Sequence, residues 1–202
     1  FFYTSRLDLD ITNYIQLIDF VTRNNIDIII NCAAYTKVDQ AEESHFDAYN
    51  INKDGCKNLA EISSLLEVII IHISTDFVFD SPDQIFLDEE SSTNPVSVYG
   101  ITKLSGEFLF KRLRNYGHKL RIFRLFNVYG VGQDLNNLDQ GMLSIYIAQA
   151  LKNSEIIIKG KNNRTRDFIH VDDVTSNLLK NFNELSEGTY DIGTGKEISV
   201  EN

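Results

Sequence analysis

Short β-branched runs alternate along this chain with longer segments in which apolar residues recur every three or four positions. Asp27-Ile28-Ile29-Ile30-Asn31 and Val68 to Ser74 have the length and make-up of buried strands, and Lys119 to Asn127 reads as another. Between them the period lengthens. Asp10-Ile11-Thr12 reads as a helix start, Ile15, Ile18 and Val21 follow in three-residue steps, and Asn24-Asn25 ends the element. A helix through Ala48 to Leu66 sets Leu59, Ile62 and Leu66 on one stripe. The polar, turn-rich stretch from Asp80 to Pro95 reads as a loop, and the helix after it carries Tyr99 and runs to about Leu113. Strands alternating with helices predict an α/β fold with a doubly wound parallel sheet.

The pattern changes at Gly130. Val131 to Gly141 is rich in Asn, Asp, Gln and Gly and reads as a loop. Met142 to Leu151 reads as a helix with Ile145, Ala148 and Ala150 on its apolar side, and Ile156-Ile157-Ile158 as a short strand. Val171 to Phe182 reads as a further helix, and Thr189 to Gly193 as a strand that rejoins the main sheet. Three segments are expected: 1–129 as the sheet domain, 130–165 as a small subdomain, and 166–202 as a return to the sheet.

At 202 residues the chain can bury one sizeable core. A net charge of −10 argues against nucleic acid or an anionic membrane as the main partner. It leaves room for a phosphorylated ligand in a local cationic pocket. Cys32 and Cys56 make no disulfide framework, and both lie in segments that read as buried. No apolar run is long enough to span a bilayer and no signal peptide is seen, so a cytoplasmic protein is expected. Histidines 45, 72, 118 and 170 are scattered, without the spacing of metal ligands, and no metal site is expected. The Asp88-Glu89-Glu90 run reads as a solvated loop.

The chemistry sits in Tyr99-Gly100-Ile101-Thr102-Lys103, downstream of Ile73-Ser74-Thr75-Asp76. A tyrosine and a lysine four apart lie one turn apart on a helix face, where the ammonium can act on the phenol. A free tyrosine has a pKa near ~10, and bringing it to ~7 takes roughly 4 kcal/mol of preferential phenolate stabilisation. A Lys⁺ and a cationic nicotinamide together could supply that. Thr75 stands where a parallel strand ends, which is where α/β folds place ligands. Its hydroxyl could share a proton between a substrate and Tyr99, a relay suited to alcohol–ketone chemistry. A strand-end threonine also commonly bonds its own loop backbone, and Tyr and Lys are ordinary helix residues. It is their conjunction that points to function.

Several stretches together carry a family resemblance. They are Asn31-Cys32-Ala33-Ala34-Tyr35, Ile73-Ser74-Thr75-Asp76-Phe77-Val78-Phe79, Tyr99 to Lys103, Arg124-Leu125-Phe126-Asn127-Val128-Tyr129-Gly130, Arg166 to Asp173, and Tyr190-Asp191-Ile192-Gly193-Thr194-Gly195. In this order they resemble the extended short-chain dehydrogenase/reductases, in the nucleotide-sugar epimerase/dehydratase branch. The resemblance implies a Rossmann-like fold with a small, incomplete substrate-binding subdomain, NAD or NADP as cofactor, a nucleotide-diphosphate sugar as substrate, and a homodimer. It implies Thr75, Tyr99 and Lys103 as the catalytic set. It implies Asn31, Ala33, Ala34, Tyr35, Ser74, Tyr99 and Lys103 along the cofactor, and Thr75, Asp76, Asn127 and Arg166 along the substrate. Asn127 and Arg166 would hold the diphosphate, since an amide and a guanidinium fork suit phosphate oxygens. Arg164 is an alternative, and a surface Arg166–Asp167 ion pair is the plainer reading. Asn52 matches an architectural asparagine of the family, and Arg124, three residues before Asn127 in a strand, is expected on the other face in a structural role. The family's glycine-rich pyrophosphate turn has no counterpart here and is expected upstream of Phe1, and the family also continues past Asn202.

Three activities follow from the resemblance. Dehydratases of this branch place Asp-Glu after the threonine, whereas here Asp76 is followed by Phe77, which cannot abstract a proton. The first half is similar to dTDP-4-dehydrorhamnose reductases and the second half to UDP-hexose 4-epimerases. Weighting the half that shapes the sugar pocket puts 4-epimerisation first, a 4-keto nucleotide-sugar reductase second, and a non-catalytic nucleotide-binding regulatory subunit third.

Overall fold

The computed structural model describes residues 1–79, 87–115, 117, 119–153, 155–158, 164–180 and 186–200. Part of the expected 80–95 loop, His118, and the expected helix end at Phe182 lie outside them. The chain forms two compact units, one of Phe1–Arg124 with Ser186–Tyr190 and one of Leu125–Leu185 with Asp191–Asn202.

The first unit contains α1 (Tyr14–Arg23), β1 (Ile28–Asn31), the short helices α2 (Val38–Ala41) and α3 (His45–Tyr49), α4 (Cys56–Leu66), β2 (Ile69–Thr75), α5 (Val98–Arg114) and β3 (Leu120–Leu125). Strands β1 and β2 pair in parallel with Ile28 opposite Ile69 and Asn31 opposite His72. The later strands are β4 (Asn127–Tyr129), β5 (Thr165–Arg166), β6 (Phe168–His170), β7 (Gly188–Ile192) and β8 (Ile198–Ser199), with α6 (Met142–Asn153) and α7 (Val171–Lys180) between them. The main sheet has the order β1-β2-β3-β7, so the expected strand near Thr189 does rejoin it. This is a parallel-sheet α/β, Rossmann-like fold.

Apolar packing explains where the elements fall. Leu17 and Val21 of α1, Leu59 and Ile62 of α4, Phe110 of α5, Ile70 of β2 and Ile122 of β3 form one core cluster. Helix α1 begins later than its polar start suggested. Asn13 caps it by accepting from Gln16 N at 3.1 Å, while Asp10 Oδ1 accepts from Thr12 N at 2.9 Å in a turn before it. The buried pair on α1 is therefore Leu17 and Val21, and Ile15 is exposed. The expected Ala48–Leu66 helix starts at His45 and passes through a π-helical turn, Asn50–Gly55, before α4. On α4, Ser63 is buried where Leu66 was expected, because its hydroxyl donates to Val68 O at 2.6 Å.

In the second unit β4 pairs in parallel with β6, and β5 pairs antiparallel with β8. Ile156–Ile158 forms no strand: Ile157 N donates to the Gln149 side chain at 2.7 Å instead of to a neighbouring backbone. Among the described residues no helix is long and apolar enough to cross a membrane.

Candidate active site

Helix α5 is the element that assembles the site. Ser97 caps it, its Oγ accepting from Gly100 N at 3.1 Å. The buried stripe runs through Tyr99, Thr102, Lys103, Gly106, Glu107 and Phe110 at helical spacing, and it is mostly polar. The apolar Ile101 and Phe108 face outward. Gly100 is required by the loop below: a Cβ there would lie 2.3 Å from Phe77 O and 2.9 Å from Pro95 Cβ. That close approach brings the Thr75–Phe77 turn against the first turn of α5.

Thr75, at the end of β2, caps the short 3₁₀ turn Asp76–Val78. Its Oγ1 accepts from Phe77 N at 3.2 Å and donates to Asp76 Oδ1 at 3.1 Å. These are the loop-backbone bonds expected of a strand-end threonine, and the Thr75 side chain also lies near enough to the Tyr99 phenol to influence its ionisation. Phe77 packs its ring edge-on against Tyr99, with centroids 5.6 Å apart. Burial pushes the Tyr99 phenol up to about 12; the Thr75 side chain acts against this, and the Asp76 charge adds to it. The Lys103 ammonium donates to Ile73 O at 2.6 Å, and burial draws its pKa down against the opposing influence of Cys56, Glu107 and Cys32. Tyr99 is therefore a protonated phenol at neutral pH.

The segment after β1 is pinned from two sides. Asn31 Oδ1 accepts from Ala33 N at 3.1 Å, while its amide lies 3.1 Å from His72 Nδ1. Asn52, on the π-turn, accepts from Tyr35 N at 2.7 Å and donates to Tyr35 O at 3.1 Å and to Thr102 Oγ1 at 3.0 Å. π-Turns recur at functional sites because they redirect a side chain, and here one aims Asn52 at the Tyr35 backbone. Cys32 and Ala33 are left exposed at the strand end, so the expectation that both cysteines are buried holds only for Cys56.

His72 is buried against Phe110, with ring centroids 4.8 Å apart, and its Nε2 has no partner among the described residues. Burial, and then the Lys103 charge, hold its pKa well below 6.5. The unfolded chain takes up a proton below about pH 6.5 and the native imidazole does not, so stability must fall as pH drops below that value. Urea titrations at pH 7 and pH 5 should show this loss, and His72→Gln should reduce it. An unchanged slope in the variant would assign the acid sensitivity elsewhere.

The second unit holds the other expected residues. Asn127 N donates to Asp167 O at 3.1 Å, which brings Asn127 beside the Arg166–Asp167 pair of residues. The Asn127 amide nitrogen is buried without a partner among the described residues. Arg166 Nη1 donates to Thr165 O at 2.7 Å. The Asp167 carboxylate is taken by Thr194 N and Gly195 N, each at 2.8 Å to Oδ2, and a Cβ on Gly193 would lie 2.5 Å from that oxygen. The Gly193-Thr194-Gly195 turn is thus wrapped around a carboxylate of the chain itself.

Sequence reasoning missed Glu107. It is fully buried, and it accepts from Ser74 Oγ at 2.6 Å, from Arg124 Nη2 at 2.8 Å and from Lys111 Nζ at 3.1 Å. Burial opposes its ionisation, yet Arg124, Ser74 and Lys111 hold its pKa below the ordinary carboxylate value. The available signal was spacing: Glu107 follows Lys103 by four and shares its helix face. Arg124 is buried in a structural role, as expected, with its guanidinium also 4.9 Å from the centroid of the Phe79 ring.

Comparison with known proteins fits this geometry. The family model described as RmlD substrate binding domain matches residues 1–189. A Methanocaldococcus jannaschii protein named "Putative UDP-glucose 4-epimerase" is 36% identical over 179 residues, 87% of this chain and 58% of that protein. A dTDP-4-dehydrorhamnose reductase of Sinorhizobium fredii is 43% identical over 104 residues, 52% of this chain and 35% of that one. The chain therefore spans less than two thirds of these curated relatives. The crystal structure of a Bacillus anthracis dTDP-4-dehydrorhamnose reductase in complex with NADP superposes with a TM-score of 0.85 at 31% identity, covering 98% of this chain and 66% of that one. A strand-end threonine beside a helical tyrosine, a lysine one turn on, and a match across 189 residues lead to one conclusion: the chain belongs to the RmlD substrate binding domain family, within the extended short-chain dehydrogenase/reductases.

Proposed function

We propose that the protein is an NAD(P)H-dependent reductase of 4-keto nucleotide-diphosphate sugars. What supports this reading is the placing of Thr75, at the end of β2, beside the Tyr99 phenol on α5, in a chain whose relatives are repeatedly dTDP-4-dehydrorhamnose reductases. Reducing a ketone leaves an alkoxide that needs a proton donor, and a neutral phenol is one. Epimerisation at C4 must begin by taking a proton from a sugar hydroxyl, which asks the same group to act first as a base.

In this reading Thr75 Oγ1 meets the C4 oxygen of the sugar and relays the Tyr99 proton, while Asp76 borders the sugar. Lys103, fixed on Ile73 O, supplies positive charge beside the pair and faces the cofactor ribose. The small Ala33 and Ala34, between backbone groups of Ala33 and Tyr35 that are held by Asn31 and Asn52, fit the close approach of a dinucleotide. A reduced nicotinamide bound there would supply the hydride. Asn127, with its unpartnered buried amide, and Arg166 would hold the diphosphate.

The relatives support the reductase over the epimerisation that the second half of the sequence had put first. dTDP-4-Dehydrorhamnose reductases recur among them, and one was solved with NADP. The 36% identity to the M. jannaschii protein keeps 4-epimerisation as the second reading. A panel of nucleotide-sugars and their 4-keto forms, followed for sugar identity and NAD(P)H together, tests the proposal. Stoichiometric NAD(P)H oxidation on a 4-keto substrate is expected. Interconversion of C4 epimers without net cofactor change would replace the reductase with the epimerase.

A further inference from the structure

Beneath the reaction centre lies a buried charged cluster to which the proposed chemistry gives no part. Glu107 sits on α5, one turn beyond Lys103 and two beyond Tyr99. Three elements meet on its carboxylate. Strand β2 contributes Ser74, whose Oγ donates to Oε1 at 2.6 Å. Strand β3 contributes Arg124, whose Nε donates to Oε1 at 3.0 Å and whose Nη2 donates to Oε2 at 2.8 Å. Helix α5 itself contributes Lys111 at 3.1 Å. Ser74 immediately precedes Thr75, so the bond that fixes Ser74 also fixes the backbone from which the relay hydroxyl projects.

We propose that Glu107 is a positioning residue: through Ser74 and Arg124 it locks the end of β2, and with it Thr75, onto the helix that carries Tyr99 and Lys103. The proposal rests on the reading of Thr75, Tyr99 and Lys103 as the reaction centre. Its physical basis is directional. Apolar packing tolerates small slips between a strand and a helix. A short hydrogen bond to a carboxylate already held by a two-point guanidinium fork does not. A misplacement of about 1 Å between reacting groups can cost on the order of 100-fold in rate, so a few tenths of an ångström at Thr75 is enough to register. The Glu107 charge also favours the ammonium form of Lys103. The Ser74 hydroxyl, expected from the family resemblance to line the cofactor, is committed to Glu107 in this arrangement.

Glu107→Ala would strand Arg124 without its anion and could unfold the protein, so the test goes through Ser74. In the full-length protein, Ser74→Ala removes one bond and leaves the Glu107–Arg124 pair intact. The expected result is a fall in kcat on a 4-keto nucleotide-sugar of roughly tenfold, within the range that misplaced reacting groups produce. The KM for NAD(P)H should stay within about twofold of the parent, which is the signature of lost transition-state geometry rather than lost binding. Ser74→Thr, which restores a hydroxyl, should recover most of the rate. An unchanged kcat in Ser74→Ala would overturn the proposal, and so would a rise in KM for NAD(P)H, which would make Ser74 a direct cofactor contact. Tyr99→Phe is measured alongside: if it too is fully active, the reaction-centre reading has failed and the proposal falls with it. Loss of activity in Tyr99→Phe with full activity in Ser74→Ala sinks the positioning role alone.

Discussion

Tyr99→Phe should reduce 4-keto sugar reduction by about 10²–10⁴-fold, the range for losing a positioned general acid. That corresponds to roughly 3–5 kcal/mol of transition-state stabilisation at 1.36 kcal/mol per tenfold. The substitution removes one oxygen from a ring held edge-on by Phe77, so packing changes little. Thr75 keeps its bonds to Phe77 N and Asp76. The loss should therefore fall on kcat, with NAD(P)H binding close to the parent value. The pH dependence follows from the direction of the shifts. With the phenol pushed up to about 12 and the Lys103 pKa drawn down by burial, the donor stays loaded through neutral pH, and activity should decline only on the alkaline side. Steady-state kinetics with purified variants decide it. A Tyr99→Phe protein that keeps more than a tenth of the parent kcat would remove Tyr99 from the relay, and would bring forward a nucleotide-binding protein without catalysis at this site.

The second large effect is on stability. Arg124→Met should cost about 3–5 kcal/mol, because it leaves the Glu107 carboxylate buried without its main partner. Replacing both members, Glu107→Met with Arg124→Met, should recover much of that loss, since apolar groups of similar size carry no desolvation penalty. The recovered fold should nonetheless be slow as an enzyme, because Ser74 would have lost its acceptor. The Glu107 carboxyl also sits below its ordinary pKa of 4.5, so its contribution is full above that pH and is lost as pH falls through the lower native value. Urea unfolding of the two single variants and the double variant measures the coupling. Additive losses would mean that the pair is not the unit described here.

Both expectations arise on helix α5, where the limits of pattern reading are plainest. A periodic apolar stripe usually marks the buried side of a helix. On α5 the rule holds only in part: Leu104 and Phe110 are buried, but Ile101 and Phe108 are exposed, while Thr102, Lys103 and Glu107 are buried. Local sequence could not announce that, because each buried polar group is balanced by a partner far away in the chain. Thr102 is held by Asn52, Lys103 by Ile73 O, and Glu107 by Ser74 and Arg124. Burying such groups is costly without those partners and tolerable with them.

What the sequence determined by itself is therefore the order of the strands and helices of the first unit, with Thr75 at a strand end and Tyr99 and Lys103 one turn apart on one helix. Those depend on propensity, on period, and on the four-residue spacing of Tyr99 and Lys103, all of which are local. The later start of α1, the π-turn before α4 and the missing strand at Ile156–Ile158 were decided by caps and partners that only the folded chain supplies. So were the upward pKa shift of Tyr99 and the place of Glu107. Both depend on how much water the fold excludes and on which distant charge it brings near, and neither quantity exists until the strands and α5 have packed together.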